Sequence, residues 1–164
     1  KRSFFKHLET SLTSRQIFEL VGLRRTGKTT LYFQLINHLL DMQISPFSLW
    51  YFTFDEEILQ LEDLFQIFSS QTGLSIKTDK IYIFLDEIQK LPGFQNQLKV
   101  YYDLYPNLKF YISGSTSLFI KKKTQESLTG RLYSRILGPL DFQAYLRPMP
   151  ICSTDHHWQP ARTN

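Results

Sequence analysis

Residues 22–29 combine glycine, lysine and threonine at a spacing suited to phosphate binding. They read Gly-Leu-Arg-Arg-Thr-Gly-Lys-Thr and fit the pattern G-x-x-x-x-G-K-[ST]. The glycines let several backbone N–H groups surround one anion, and the helix that follows adds the positive end of its dipole. In such a loop Lys28 contacts the β- and γ-phosphates of a nucleotide, and the Thr29 hydroxyl binds Mg²⁺. The residues expected to bind the nucleotide are Gly22, Arg24, Arg25, Thr26, Gly27, Lys28, Thr29 and Thr30.

The segments on either side of this loop fit the same chemistry. Residues 16–21 are short and largely apolar, as in a parallel strand that is buried on both faces. After the loop, one helical stripe carries Leu31, Leu35, Ile36 and Leu39. A glycine turn followed by a lysine that caps a helix is the alternative interpretation. The order of strand, loop and helix favours phosphate binding.

A second group of candidate residues follows the apolar run 81–85. Asp86 stands at the end of this predicted strand, where an acid holds Mg²⁺ in proteins with a phosphate-binding loop. Glu87 comes next and could orient and polarise an attacking water near the γ-phosphate. The alternative is that both acids cap the following helix. Together the two positions indicate hydrolysis of a nucleotide.

The apolar run 108–112 ends in Ser113, followed by Gly114. If this strand lies between the phosphate-loop strand and the strand that ends in Asp86, the Ser113 hydroxyl would lie near the γ-phosphate and could sense hydrolysis. A Ser-Gly turn that caps the next helix is the alternative, and one serine can do both.

Arginines supply a further set of candidates. Arg131 precedes the last predicted strand and could act as an arginine finger, in its own site or in that of a neighbouring subunit. An ordinary surface ion pair is the alternative for Arg131. Arg24 and Arg25 are expected to contact a neighbouring element or subunit more than to take part in the chemistry.

Apolar runs and helical stripes alternate along the chain, which predicts an α/β fold with a parallel sheet between helical layers, a three-layer αβα sandwich. The predicted strands are 16–22, 48–54, 80–85, 108–113 and 132–137. The predicted helices are 28–41, 58–70, 94–104, 115–122 and 141–146.

Composition limits the classes of protein that need be considered. The chain has 164 residues, of which 42% are hydrophobic, enough for one core and one domain. No apolar stretch approaches the roughly 20 residues that span a bilayer, so we expect a cytoplasmic protein. Cys152 is the only cysteine, which excludes an internal disulfide and a cysteine metal site. The net charge of +4 suits an anionic partner and does not distinguish a nucleotide from a nucleic acid.

The last residues differ in character from the rest of the chain. Residues 147–164 contain three prolines and no apolar periodicity, so a loosely ordered tail is expected after a core of residues 1–146. His156 and His157 are adjacent there without further ligand residues, which disfavours a metal site. The chain starts at Lys1 and carries no secretion pattern, so we expect a fragment of a longer protein.

These motifs together resemble the archaeal-type ATPases of the AAA+ superfamily, which are also widespread in bacteria. The resemblance covers residues 14–146. It departs from the family at Asp141 and Ala144, where serine and an acid are usual. The matching segments are the loop G-L-R-R-T-G-K-T-T at 22–30, D-E-I-Q-K-L-P at 86–92, S-G-S-T-S at 113–117, S-L-T-G-R at 127–131 and P-L-D-F at 139–142.

The resemblance implies a five-stranded sheet in the order 5-1-4-3-2, ATP with Mg²⁺ as cofactors, and hydrolysis assisted by Glu87. Members of the family typically continue into helical or winged-helix regions, and the chain is expected to be the ATP-binding core without them. No guanine-specificity motif follows the strand that ends in Asp86, which favours ATP over GTP.

Three functions stay open from the sequence. The first is an ATPase core that drives a conformational change as part of a larger protein. Such a core could assemble as a homo-oligomer or act on a protein partner. The second is an ATP-dependent switch with little turnover. The third is a nucleic-acid-associated ATPase that uses Lys121, Lys122 and Lys123, although three lysines in a polar stretch more often form a solvated surface.

Overall fold

A computed structural model describes residues 5–55, 60–115 and 128–139. The α-helices are α1 (Phe5–Ser11), α2 (Lys28–Asp41), α3 (Leu61–Thr72) and α4 (Phe94–Leu104). The strands are β1 (Ile17–Gly22), β2 (Leu49–Thr53), β3 (Ile81–Asp86), β4 (Leu108–Gly114) and β5 (Leu132–Leu137). Short 3₁₀ turns lie at Pro46–Ser48 and Ile88–Lys90.

Within the described ranges the five strands form one sheet in the order β2-β3-β4-β1-β5, and every pairing is parallel. This is the order 5-1-4-3-2 that the family resemblance implies, read from the other edge. The three central strands β3, β4 and β1 are buried along their whole length, which explains their continuous apolar runs.

Two apolar clusters cover the two faces of the sheet. Alternate residues of one strand point to opposite faces, so Ile83 and Phe84 of β3 belong to different clusters. On one face the strands pack against α3 and α4, and on the other against α1 and α2. The predicted three-layer αβα sandwich is therefore confirmed.

Most predicted elements have their expected bounds within two or three residues. Helix α2 and strand β5 begin and end at the predicted residues. Helix α3 begins at Leu61 and ends before Gly73, whose left-handed φ of 73° terminates it. Helix α1 was not predicted. Phe5 and Leu8 on its inner face are buried, with 1% and 0% exposure.

Some predictions fall outside the described residues. They are the predicted helix 115–122 beyond residue 115, the predicted helix 141–146, the lysines 121–123, and the tail 147–164 with Cys152, His156 and His157. In the part of the chain that is described, no helix has both the length and the apolar character needed to cross a bilayer.

Candidate functional site

An open cleft of about 500 Å³ lies at the carboxyl edge of the sheet, where β1 turns into α2. Parallel sheets bind ligands at this edge because the loops that follow the strands converge there. All of the expected loop residues except Gly22 and Thr26 line this cleft. The lining residues are Arg24, Arg25, Gly27, Lys28, Thr29, Thr30, Asp55 and Glu87.

Gly22 and Thr26 do not line the cleft, but they stabilise the conformation of the loop. A Cβ at Gly22 would lie 2.7 Å from the backbone oxygen of Leu137, so β1 and β5 approach too closely there for any side chain. The buried Thr26 hydroxyl donates a hydrogen bond of 2.9 Å to the Leu23 carbonyl. Both residues therefore hold the loop conformation.

Helix α2 begins directly at the cleft. Its N-cap residue is Gly27, in the left-handed conformation with φ of 90°, and no side chain accepts a capping hydrogen bond there. The first N–H groups of an α-helix have no partner within the helix, and the helix dipole adds positive potential. This helix start is consequently suited to an anionic phosphate.

Lys28 occupies the centre of the site, and its side chain is only 4% exposed. The Nζ atom donates hydrogen bonds of 3.2 Å to the carbonyls of Gly22 and Leu23. It also lies 3.6 Å from Oε1 of Glu87. Burial strengthens such charge interactions, because the local dielectric constant is below that of water. A phosphate entering the cleft would compete with Glu87 for this ammonium group.

Asp86 ends β3 and gathers hydrogen-bond donors from three other parts of the chain. Its Oδ2 accepts hydrogen bonds from the Thr29 hydroxyl at 2.5 Å and from the Tyr51 hydroxyl at 3.1 Å. Its Oδ1 accepts from the Ser113 hydroxyl and, at 3.1 Å, from the backbone N–H of Glu87. Asp86 is only 3% exposed, and these four hydrogen bonds hold its carboxylate in one position.

The donor set of Thr29 and Asp86 fits Mg²⁺. Hydroxyl and carboxylate oxygens are hard ligands, and Mg²⁺ commonly takes one or two protein oxygens and completes its shell with phosphates and water. Within the described residues no three His, Cys, Asp or Glu side chains cluster as a metal site.

Glu87 adopts a conformation that side-chain-bearing residues rarely take. Its φ of 52° lies in the left-handed region, a form of strain that clusters at functional sites. The Glu87 carboxylate contacts Lys28 through Oε1, and its Oε2 accepts a hydrogen bond from Nε2 of Gln89. The carboxylate thus lies in the cleft between Lys28 and Gln89.

Ser113 lies in β4, between β1 and β3, as expected if its hydroxyl were to reach the phosphate region. The side chain is fully buried and its hydroxyl donates to Asp86. In this position Ser113 supports the carboxylate directly. Its sensing of the γ-phosphate stays a prediction.

The position of Arg131 argues against one of the roles that the sequence left open, that of an arginine finger in its own site. The Ile17 N–H donates to the Arg131 carbonyl at 2.8 Å, so Arg131 lies beside the start of β1, at the amino edge of the sheet. The six-residue length of β1 separates it from the loop by roughly 17 Å at 3.3 Å per residue. Its guanidinium instead forms a bidentate ion pair with the carboxylate of Asp103, with hydrogen bonds of 2.8 and 2.9 Å.

This ion pair is the alternative that the sequence left open. The hydrogen bonds from Arg131 lower the pKa of Asp103, and the same contact raises the pKa of Arg131. A finger contributed to a neighbouring subunit stays a prediction.

Three residues of the site were missed in the sequence. Asp55 lines the cleft just after β2 and belongs to none of the motifs. Tyr51 belongs to the apolar strand β2, where an aromatic residue fits the core equally well, so no local signal marked its bond to Asp86. Gln89 stands inside the D-E-I-Q-K-L-P segment, but its contact with Glu87 depends on the 3₁₀ turn at Ile88–Lys90. That turn was not predicted.

Comparison with known proteins places this site in a family. Residues 14–146 match the family described as AAA domain. Two uncharacterized proteins of Methanocaldococcus jannaschii are each 32% identical over 149 residues. The matched regions cover 89% and 87% of this chain, but only 30% and 31% of those proteins. The chain therefore spans about a third of the length of these relatives.

Solved structures share the architecture at low identity. A chain in the structure of Drosophila ORC bound to DNA has a TM-score of 0.57 and 14% identity, covering 86% of this chain and 91% of that chain. Cdc6p from Pyrobaculum aerophilum has a TM-score of 0.51 and 16% identity, covering 77% of this chain and 41% of that chain. At these identities the likeness establishes the fold. The family match over residues 14–146 shows that the chain belongs to the AAA domain family, as a nucleotide-binding, ATPase-like domain with the AAA+ fold.

Proposed function

We propose that this domain binds MgATP and hydrolyses it to ADP and phosphate, as the motor or switch core of a larger protein. The observation that carries the proposal is that Lys28 and Glu87 line one cleft in ion-pair contact. Thr29, which also lines the cleft, is hydrogen-bonded to the Asp86 carboxylate. A site built only to bind phosphate would not need a second carboxylate beside the lysine.

Lys28 and the start of α2 would bind the phosphates. The ammonium group exchanges its contact with Glu87 for phosphate oxygens, and the first N–H groups of α2 add further donors. Arg24 and Arg25 are exposed at the mouth of the cleft, where they raise the positive potential for an incoming nucleotide.

Thr29 and Asp86 would hold the cation, which when bound neutralises charge on the phosphates during transfer. Tyr51 and Ser113 keep the Asp86 carboxylate in place through their hydroxyl groups. These supporting hydrogen bonds orient the carboxylate before a ligand arrives.

Glu87 would act on the attacking water. Once Lys28 has turned to the phosphates, the Glu87 carboxylate can accept a hydrogen bond from water and orient its oxygen toward the γ-phosphorus. The new P–O bond forms as the bond from that phosphorus to the bridging oxygen of ADP breaks. The water proton passes to Glu87, and ADP leaves with the bridging oxygen.

The test measures MgATP binding and phosphate release for wild type, Lys28→Ala and Glu87→Gln. We expect Lys28→Ala to lose binding, and Glu87→Gln to keep binding while phosphate release falls at least about a hundredfold. Lys77→Ala and Glu62→Gln, both exposed and not among the residues that line the cleft, are matched controls that should behave as wild type.

The same experiment separates hydrolysis from the alternative of an ATP-dependent switch. A wild type that binds MgATP but releases no phosphate would reject the hydrolase and favour the switch. Equal ATP affinity in wild type and Lys28→Ala would reject nucleotide binding at this cleft altogether.

A further inference from the structure

The side-chain amide of Gln89 is hydrogen-bonded to the Glu87 carboxylate. Nε2 of Gln89 donates a hydrogen bond to Oε2 of Glu87, while Oε1 of Glu87 faces Lys28 at 3.6 Å. Each oxygen of the carboxylate thus has its own partner. No comparison or motif assigns a role to Gln89.

The other end of the Gln89 amide shows that this orientation is unfavourable for Gln89 itself. Its Oε1 is buried and has no hydrogen-bond partner within the described part of the chain. Burial of an unpaired carbonyl opposes folding. Rotating the amide by half a turn would not relieve this, because Oε1 would then face the negative carboxylate of Glu87. The contact with Glu87 therefore determines which way the amide points.

The backbone around Gln89 is held firmly. Ile88 and Leu91 are buried, with 0% and 1% exposure, and they anchor the turn in the core. The Lys90 N–H donates to the Glu87 carbonyl at 3.1 Å, and the Leu91 N–H donates to the Ile88 carbonyl at 3.0 Å. Gln89 is consequently a fixed support for the carboxylate that precedes it.

We propose that Gln89 is the positioning residue that keeps Glu87 aligned for attack on the γ-phosphate of ATP, an inference that rests on the proposed function. Lys28 and Gln89 are the two side chains that contact the Glu87 carboxylate among the described residues, and Lys28 turns to the phosphates when the nucleotide binds. Gln89 then becomes the remaining partner that orients the carboxylate. Without it the carboxylate rotates about its side-chain bonds and meets the water in fewer productive arrangements.

The test compares wild type with Gln89→Met, which keeps the length of the side chain and removes the N–H donor. We expect kcat to fall on the order of tenfold, the effect of one oriented hydrogen bond, while KM and MgATP affinity change less than about twofold. The melting temperature should not fall, since the substitution also removes the unpaired carbonyl. Gln66→Met, an exposed glutamine on α3, is the matched control and should resemble wild type in every measurement.

A second readout does not depend on turnover. In ¹H–¹⁵N spectra the side-chain amide of Gln89, assigned as the signal lost in Gln89→Met, should shift in Glu87→Gln. It should stay unchanged in Gln66→Met. An amide signal that is insensitive to Glu87→Gln would overturn the contact and the proposal.

The kinetic outcomes separate failure of this inference from failure of the proposed function. If wild type releases phosphate and Gln89→Met does so at the same kcat, the inference fails and the ATPase stands. A fall in melting temperature with a matching rise in KM would make Gln89 a structural residue and would overturn its positioning role. If neither wild type nor Gln66→Met releases phosphate, the proposed function fails and the inference fails with it.

Discussion

The Thr29 hydroxyl donates a hydrogen bond of 2.5 Å to Oδ2 of Asp86, which joins the start of α2 to the end of β3. The two residues are 57 positions apart in the chain. This contact places the two oxygens proposed to hold Mg²⁺ side by side. It also couples the phosphate-binding loop to the strand that carries Glu87.

Thr29→Val should reduce the gain in ATP affinity that Mg²⁺ provides, because valine keeps the shape of the side chain and lacks the hydroxyl. We expect this gain to fall by at least about tenfold. Thr29→Ser should retain it. The measurement is nucleotide titration with and without Mg²⁺, with the exposed Thr78→Val as control. An unchanged Mg²⁺ effect in Thr29→Val would remove Thr29 from the cation site.

Gly22→Ala should destabilise the protein by about 1–3 kcal/mol, a usual range for forcing atoms into a packed region. The added Cβ would lie 2.7 Å from the Leu137 carbonyl oxygen and 3.0 Å from the Thr26 hydroxyl, so β1 and β5 must separate. Gly138→Ala is the matched control, since a Cβ there would meet no atom of the described residues within 4 Å. Urea unfolding measures the difference. Equal stability of the two variants would show that the β1–β5 contact tolerates a methyl group.

Arg131→Ala should lower phosphate release if the guanidinium serves a neighbouring subunit, since its distance from the loop excludes its own site. The rate per molecule in wild type should then rise with protein concentration. Asp103→Asn removes the charge of its ion-pair partner, keeps Arg131, and should preserve phosphate release. If Arg131→Ala and Asp103→Asn have the same small effect, Arg131 has only the role of a surface ion pair.

Lys109 should give the protein a rise in stability between pH 8 and 10.5. Burial lowers its pKa from 10.5 to about 8, so in this interval the unfolded chain binds a proton that the folded chain lacks. The contribution of Lys109 to the free energy of unfolding therefore increases with pH, by at most about 1.4 kcal/mol per pH unit, and becomes constant once Lys109 is neutral in both states. Urea unfolding across this interval measures the slope.

Lys109→Met should remove that slope, whereas the exposed Lys80→Met should retain it. The Lys109 substitution will also lower the stability itself, because it leaves the carbonyls of Ser14 and Gln16 without this donor. The slope is thus the diagnostic quantity. The same slope in wild type and Lys109→Met would contradict the assignment.

Elements with strong local patterns could be predicted from the sequence. Helix α2 has an apolar stripe and a glycine at its start, and β3 and β4 are continuous apolar runs, so their existence follows from neighbouring residues alone. Helix α1 has seven residues and no charged residue of the favourable sign in its first or last turn, which left it without a recognisable signal. Its stability comes from packing, through the buried Phe5 and Leu8.

The motif spacing likewise determined which side chains could bind phosphate and a cation, because the loop 22–29 and the pair Asp86–Glu87 are contiguous segments. The sheet decided where the other residues lie. It placed Arg131 beside Asp103 at the amino edge, and it brought Tyr51 and Ser113 into contact with Asp86. The turn after β3 brought Gln89 into contact with Glu87. Strand order and edge arise from contacts between residues far apart in the chain, and local periodicity carries no record of those contacts.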